Sequence, residues 1–373
     1  MKINISKNEL LSKLRVVGKI IKPSSQQVTY NSFLIKVESE KSIQITGSDE
    51  QGRIETTVAC NIENFEEKSF LVDSTTILNG LKELPDQPIT IEVNEVKLVV
   101  KYSVGKFELA VGDANLYPDF NIGDKGIKCE IGRDRLYDGL KSVTKYTLTD
   151  DTLRPVMTAV NFANSGDAIT FAASTGHVLA VYEIENKDNQ YLFNINLPNK
   201  ISKIITELPA TTDESIQFVV AGNHVRFIIG EYTVSSRLIE GSYPNFRSVI
   251  PRDSELDMII NTSELIAAIN RVSVFSDEAL SMIVLDIKDN TITLSAENMD
   301  YSRSAKETLM LAEVYKPLKI GFKSSFLVDV LKTVSTETNE CELHFSGPNR
   351  AAVIRPKDSK VLTMILMPMM VNQ

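Results

Sequence analysis

The apolar positions of this chain follow two periods. In segments 6–17, 132–143 and 261–272 they recur at i, i+4 and i+7: Leu10, Leu14 and Val17; Leu136, Leu140 and Val143; Leu265, Ile269 and Val272. Each triplet lies on one helical face, so the three segments read as one amphipathic helix written three times. Ser6 with Glu9, and Asn261 with Glu264, have the spacing of an N-terminal capping box. A second helix is predicted in each copy at 74–84, 199–208 and 323–334, with Leu81, Ile205 and Leu331 in register. The first two of these run into Leu84-Pro85 and Leu208-Pro209, where proline ends a helix. Elsewhere apolar and polar residues alternate, as at 42–46, 168–172 and 291–295, then at 89–93, 215–220 and 341–345. These are half-buried antiparallel strands joined by short turns such as Asp289-Asn290.

The first helix copies start 126 and then 129 residues apart, a period that marks an internal repeat. Tyr117-Pro118-Asp119-Phe120 returns 126 residues later as Tyr243-Pro244-Asn245-Phe246. The pattern predicts an α+β chain of three similar domains, about 1–121, 127–252 and 253–373, each with two helices packed on antiparallel sheet.

Composition narrows the chemistry. With 43% apolar and 24% charged residues, the 373-residue chain can build several cores. No apolar run is long enough for a spanning helix, and the start lacks the pattern of a secretory signal, so a cytoplasmic protein without a membrane partner is expected. Cys60, Cys129 and Cys341 are dispersed, and so are His177, His224 and His344. Neither set has metal-ligand spacing, and no metal or cofactor is expected. No phosphate-cradling glycine loop and no nucleophile elbow occurs, which disfavours an enzyme.

A net charge of −9 argues at first against nucleic acid. Over 6–21, 74–84, 132–147, 199–208, 261–276 and 323–334, however, the chain carries 14 basic and 7 acidic residues, a net of +7 that leaves −16 elsewhere. Helices sharing one face would give an acidic protein a basic inner surface. The residues concerned are Lys7, Lys13, Arg15, Lys19, Arg133, Arg135, Lys141, Lys145, Lys200, Lys203, Arg271, Lys323 and Lys332. Lysine-rich helix faces are commonly only a solubility device, so the repeat has to carry this reading. With no motif for base readout, phosphates of any sequence are the expected contact.

Several short motifs resemble the beta subunit family of bacterial DNA polymerase III, and the resemblance covers essentially the whole chain. They are Arg154-Pro155-Val156-Met157, Ser174-Thr175-Gly176-His177-Val178-Leu179-Ala180, Tyr243-Pro244-Asn245-Phe246-Arg247-Ser248-Val249-Ile250-Pro251, Phe326-Leu327-Val328-Asp329-Val330-Leu331 and Met367-Pro368-Met369. The resemblance implies a noncatalytic DNA sliding clamp, a homodimer whose two chains close head to tail into a six-domain ring lined by helices. It implies double-stranded DNA as the encircled partner, and DNA polymerase, clamp loader and repair proteins as partners bound through short peptides. The peptide pocket would be walled by Met157, Ser174, Gly176, His177, Leu179, Pro244, Val249, Phe326, Ile365, Met367 and Met369. The DNA-facing set would be Lys7, Lys13, Lys19, Arg133, Arg135, Lys141, Lys145, Lys200, Lys203 and Lys323, and the dimer contact Val274 and Phe275 against Lys106, Phe107 and Leu109. Two departures touch the pocket rim: Thr175 and Val178 stand where the family commonly has Asp and Arg, and the chain continues past Met369 to Gln373. From the residues alone, a repeat-built scaffold or adhesion protein is the rival reading, and a metal-dependent nuclease a weaker one.

Overall fold

The computed structural model describes residues 1–22, 28–120, 126–150, 154–186, 191–335 and 339–371. All six expected helices form: α1 (Lys7–Val17), α2 (Ser74–Lys82), α3 (Arg133–Val143), α4 (Asn199–Thr206), α5 (Thr262–Ser273) and α6 (Ser324–Val334). The three predicted triplets are buried, as are Leu81, Ile205 and Leu331. Ser6 accepts the Glu9 amide (3.5 Å) and Asn261 that of Glu264 (3.0 Å), satisfying donors the first helical turn leaves open. Helices α2 and α4 end two residues short of their expected limits, since a residue preceding proline is pushed out of helical geometry.

Among the described residues the strands form four antiparallel sheets. Five strands run in the order Asn61–Glu63, Lys2–Ser6, Pro88–Val93, Lys97–Tyr102 and Gly105–Ala110. A nine-stranded sheet joins five strands of the first sequence copy to four of the second, and an eight-stranded sheet joins four of the second to four of the third. The last sheet pairs Met282–Asn298 with Arg303–Lys323. Asp289, with a positive φ of 53°, and Asn290 lie where this register shifts: Met282–Ile287 pair with Leu318–Lys323, and Thr291–Asn298 with Arg303–Met310.

The compact units of the chain cut across the sequence repeat. One is Met1–Tyr137 with Leu197–Ile239, the other Asp138–Asn196 with Glu240–Gln373. The sheets explain the cut, because each joining seam lies inside one unit. In the first, Gly52, Ile54 and Thr56 face Ser236, Val234 and Tyr232; in the second, Val178, Ala180 and Tyr182 face Leu366, Met364 and Leu362. An edge strand of one copy is thus completed by the next, which leaves neither edge open.

Candidate functional site

The expected pocket residues all belong to the second unit, and most of them converge where strand Val178–Glu185 meets strand Leu362–Leu366. Its floor is aliphatic: Leu179 and Ile365 are opposed on the two strands and pack with Ala172, Val181, Ala351 and Val353. Phe246 and Ile250, which the sequence reading passed over as individual wall residues, close against this cluster. The signal for Phe246 was present, because Tyr-Pro-x-Phe occurs twice at the repeat period. One rim is the turn 174–178. Gly176 has a φ of +84° that disfavours any side chain, its amide donates to Ser174 Oγ (3.0 Å), and Ser174 donates in turn to the Val178 carbonyl (3.0 Å). His177 projects from this turn and stacks on Phe326 of α6 at 5.8 Å between centroids.

The C-terminal segment is tied beside the same turn. Met367 donates its amide to the His177 carbonyl (2.9 Å) and Met369 to that of Gly321 (2.8 Å). The Met367 side chain is 46% exposed and Val249 58%, whereas Met157 is buried. The Tyr243 hydroxyl is buried next to the Ser174 backbone, and burial pushes its pKa up to about 12. The rim departures are now physical. Thr175 Oγ1 accepts the amides of His177 (3.4 Å) and Val178 (3.1 Å), as Asp49 does for Gln51 and Gly52 (both 2.8 Å) at the matching turn of the first copy. Val178 is buried in the strand pairing and brings no charge to the rim. Of the C-terminal extension, Met370 is exposed, and Asn372 and Gln373 lie outside the described residues.

The basic helix residues divide. Arg135, Lys141 and Lys203 are exposed. Lys19 pairs with Glu207 (2.8 Å), Arg133 with Asp134 (3.0 Å) and Lys145 with Asp329 (3.6 Å), all at the surface, and the Lys323 ammonium sits over the Phe326 ring. Lys200 reaches Asp49 (2.6 Å) and the Ile20 carbonyl. Lys7 and Lys13 differ from the expectation of surface cations, being 6% and 7% exposed. Lys13 is ion-paired to Glu231 and lies over the Tyr232 ring, and burial lowers its pKa. Helical spacing could not reveal this, because the partner arrives from a strand turn more than two hundred residues away.

The expected dimer residues sit at sheet edges or helix ends. Strand Gly105–Ala110 pairs only with Lys97–Tyr102 among the described residues. Phe107 packs under Gly80 of α2, Leu109 is buried, and Lys106 joins Lys97 in flanking Glu108 (3.0 and 2.7 Å). Val274 and Phe275, directly after α5, are 74% and 41% exposed.

Family models for the N-terminal, central and C-terminal domains of the DNA polymerase III beta subunit match residues 1–121, 136–245 and 247–370. The beta sliding clamp of Staphylococcus epidermidis is 24% identical over 384 residues, 99% of each chain. In structure, the chain is similar to the sliding clamp from Pseudomonas aeruginosa bound to griselimycin (TM-score 0.92, 24% identity) and to the DNA polymerase sliding clamp from Bacillus subtilis (0.90, 23%), with 100% of each chain covered.

Proposed function

The chain belongs to the DNA polymerase III beta subunit family, and from that premise we propose that it is a sliding clamp without a catalytic site of its own. Two copies close around duplex DNA in the cytoplasm, and replication and repair proteins dock by short peptides in the pocket floored by Leu179 and Ile365. The three sequence copies, 1–121, 127–252 and 253–373, are the clamp domains. The exposed Arg135, Lys141 and Lys203, with Lys19, Arg133, Lys145, Lys200 and Lys323, meet phosphates nonspecifically, so retention comes from enclosure more than from affinity.

The observation that carries ring closure is the pair of equivalent seams. Each joins the strand after a tight turn in one copy (Gly52 or Val178 onward) to the last strand of a hairpin in the next. Applied to the third copy, the same rule selects the strand starting at Arg303; applied to the first, it selects Gly105–Ala110. Carried over from the repeat, the proposed intermolecular register puts Arg303 opposite Leu109, Ala305 opposite Phe107 and Glu307 opposite Gly105, with Val274 and Phe275 covering the Phe107 end. Head-to-tail pairing of this kind closes into a ring when two chains each supply both edges.

Oxidation of a chain carrying Phe107→Cys and Ala305→Cys is expected to give a covalent dimer, because opposed strand positions place Cβ atoms within disulfide reach. Cross-linking by a pair shifted one residue, Phe107→Cys with Lys306→Cys, in place of this one would overturn the register. A mass near one chain at micromolar concentration would overturn the ring.

A further inference from the structure

The first seam has a counterpart of the peptide pocket with different chemistry. Strand pairing sets the correspondence residue by residue. Leu179 faces Ile365 at the second seam, where the first has Arg53 facing Ser235; Val178–Leu366 corresponds to Gly52–Ser236, so Met367 corresponds to Arg237. The Tyr-Pro-x-Phe motif supplies Phe246 at one and Phe120 at the other. The aliphatic floor is therefore replaced by an aromatic ring with two guanidinium groups against it: the Arg53 and Arg237 carbons lie 5.9 and 5.7 Å from the Phe120 centroid, with His224 edge-on at 5.7 Å. Arg53 also lies over Tyr117 and donates from Nη2 to the Pro118 carbonyl (2.6 Å), while its enclosed Nε has no hydrogen-bond partner. Asp49, a carboxylate of the turn, is occupied by Lys200.

We propose that this Arg53–Phe120–Arg237 cluster is a second docking site, for an extended acidic peptide whose carboxylates, two residues apart, engage the two guanidinium groups. Such carboxylates project from the same side of an extended chain, separated by about 7 Å. The exposed Arg237 can offer a carboxylate its donor fork and two hydrogen bonds, whereas Arg53, with Nε enclosed and Nη2 given to Pro118, adds its positive charge. A single-stranded nucleic acid fits less well. Stacking needs an uncovered aromatic face, and here the guanidinium groups already lie over Phe120. Burial and the neighbouring Arg237 hold His224 below the ordinary imidazole range, so the positive charge of the cluster resides on the arginines. The inference rests on the pocket reading only for the analogy between seams, and its own charges carry it.

The test is fluorescence anisotropy on the full chain with three labelled probes: an eight-residue peptide alternating Glu and Thr, its Gln analogue, and an oligothymidylate of similar length. Saturable, salt-weakened binding of the Glu peptide is expected. It should fall about tenfold in Arg237→Gln, the loss of a hydrogen bond to a charged group, and further in Arg53→Gln with Arg237→Gln. Arg237 is exposed, so that single variant tests the site even if the partly buried Arg53 proves necessary for folding. Phe326→Ala should leave the acidic probe unaffected while weakening an apolar Leu/Phe peptide, which separates failure of this site from failure of the pocket. Equal binding of the Gln analogue, preference for oligothymidylate, or an Arg237→Gln variant indistinguishable from the parent would overturn the proposal.

Discussion

Single residues set the local tolerances of the two candidate sites. Thr175 carries the turn that holds His177 over Phe326, so Thr175→Val, which keeps the shape and removes the acceptor, should cost about 1 kcal/mol and loosen the pocket. Thr175→Asp should preserve both, as read from the urea midpoint and from binding of an apolar peptide. Gly139 in α3 faces Phe171, where an added Cβ would come within 2.3 Å of the ring. Gly139→Ala is expected to destabilise by about 1–3 kcal/mol through overpacking, measured by denaturant unfolding. At the free edge, hydrogen bonds from Lys97 and Lys106 pull Glu108 from an ordinary 4.5 to about 2. A carboxyl lowered on folding contributes stability that is complete above 4.5 and is lost as the pH falls through about 2. Glu108→Gln should therefore narrow its deficit against the parent across that window, and a constant deficit would count against the ladder.

At the scale of elements, the helices were legible because each buries one stripe at a fixed period and carries its own start and stop signals. What periodicity could not supply was the partner. Lys13 shares the helix face count with Arg135, yet it meets Glu231 and Tyr232, while Arg135 is exposed. Lys13→Met, keeping the length of the buried stem, should leave stability unchanged or raised, because the desolvation cost of the ammonium disappears. It should also leave clamp retention on circular DNA intact, whereas Arg135→Glu with Lys203→Glu should shorten retention. The strands were legible as elements, but their neighbours across the seams were not, because those come from different copies of the repeat.

For the whole molecule, the repeat was readable and its assembly was not. Tyr232 and Thr56 lie far apart in sequence with no mutual signal, and their pairing decides that the compact units straddle the copies. The candidate pocket was proposed chiefly from the short motifs of its rim, because Ile365 and Leu179 become neighbours only when the last strand inserts beside the second copy. If enclosure holds the protein on DNA, cutting a loaded circle should release it at any salt concentration that permits loading, and persistence on linear DNA with open ends would refute enclosure.

The seams carry a mechanical corollary. A ladder of backbone hydrogen bonds lying crosswise between two strands bears force along the strands on all its rungs together, but surrenders rung by rung when pried from one end. If the joint between two chains repeats the Gly52–Ser236 and Val178–Leu366 design, tension directed along the paired strands would be spread over every rung. A wedge inserted at the Gly105 or Ala110 terminus would part the same joint with far less force.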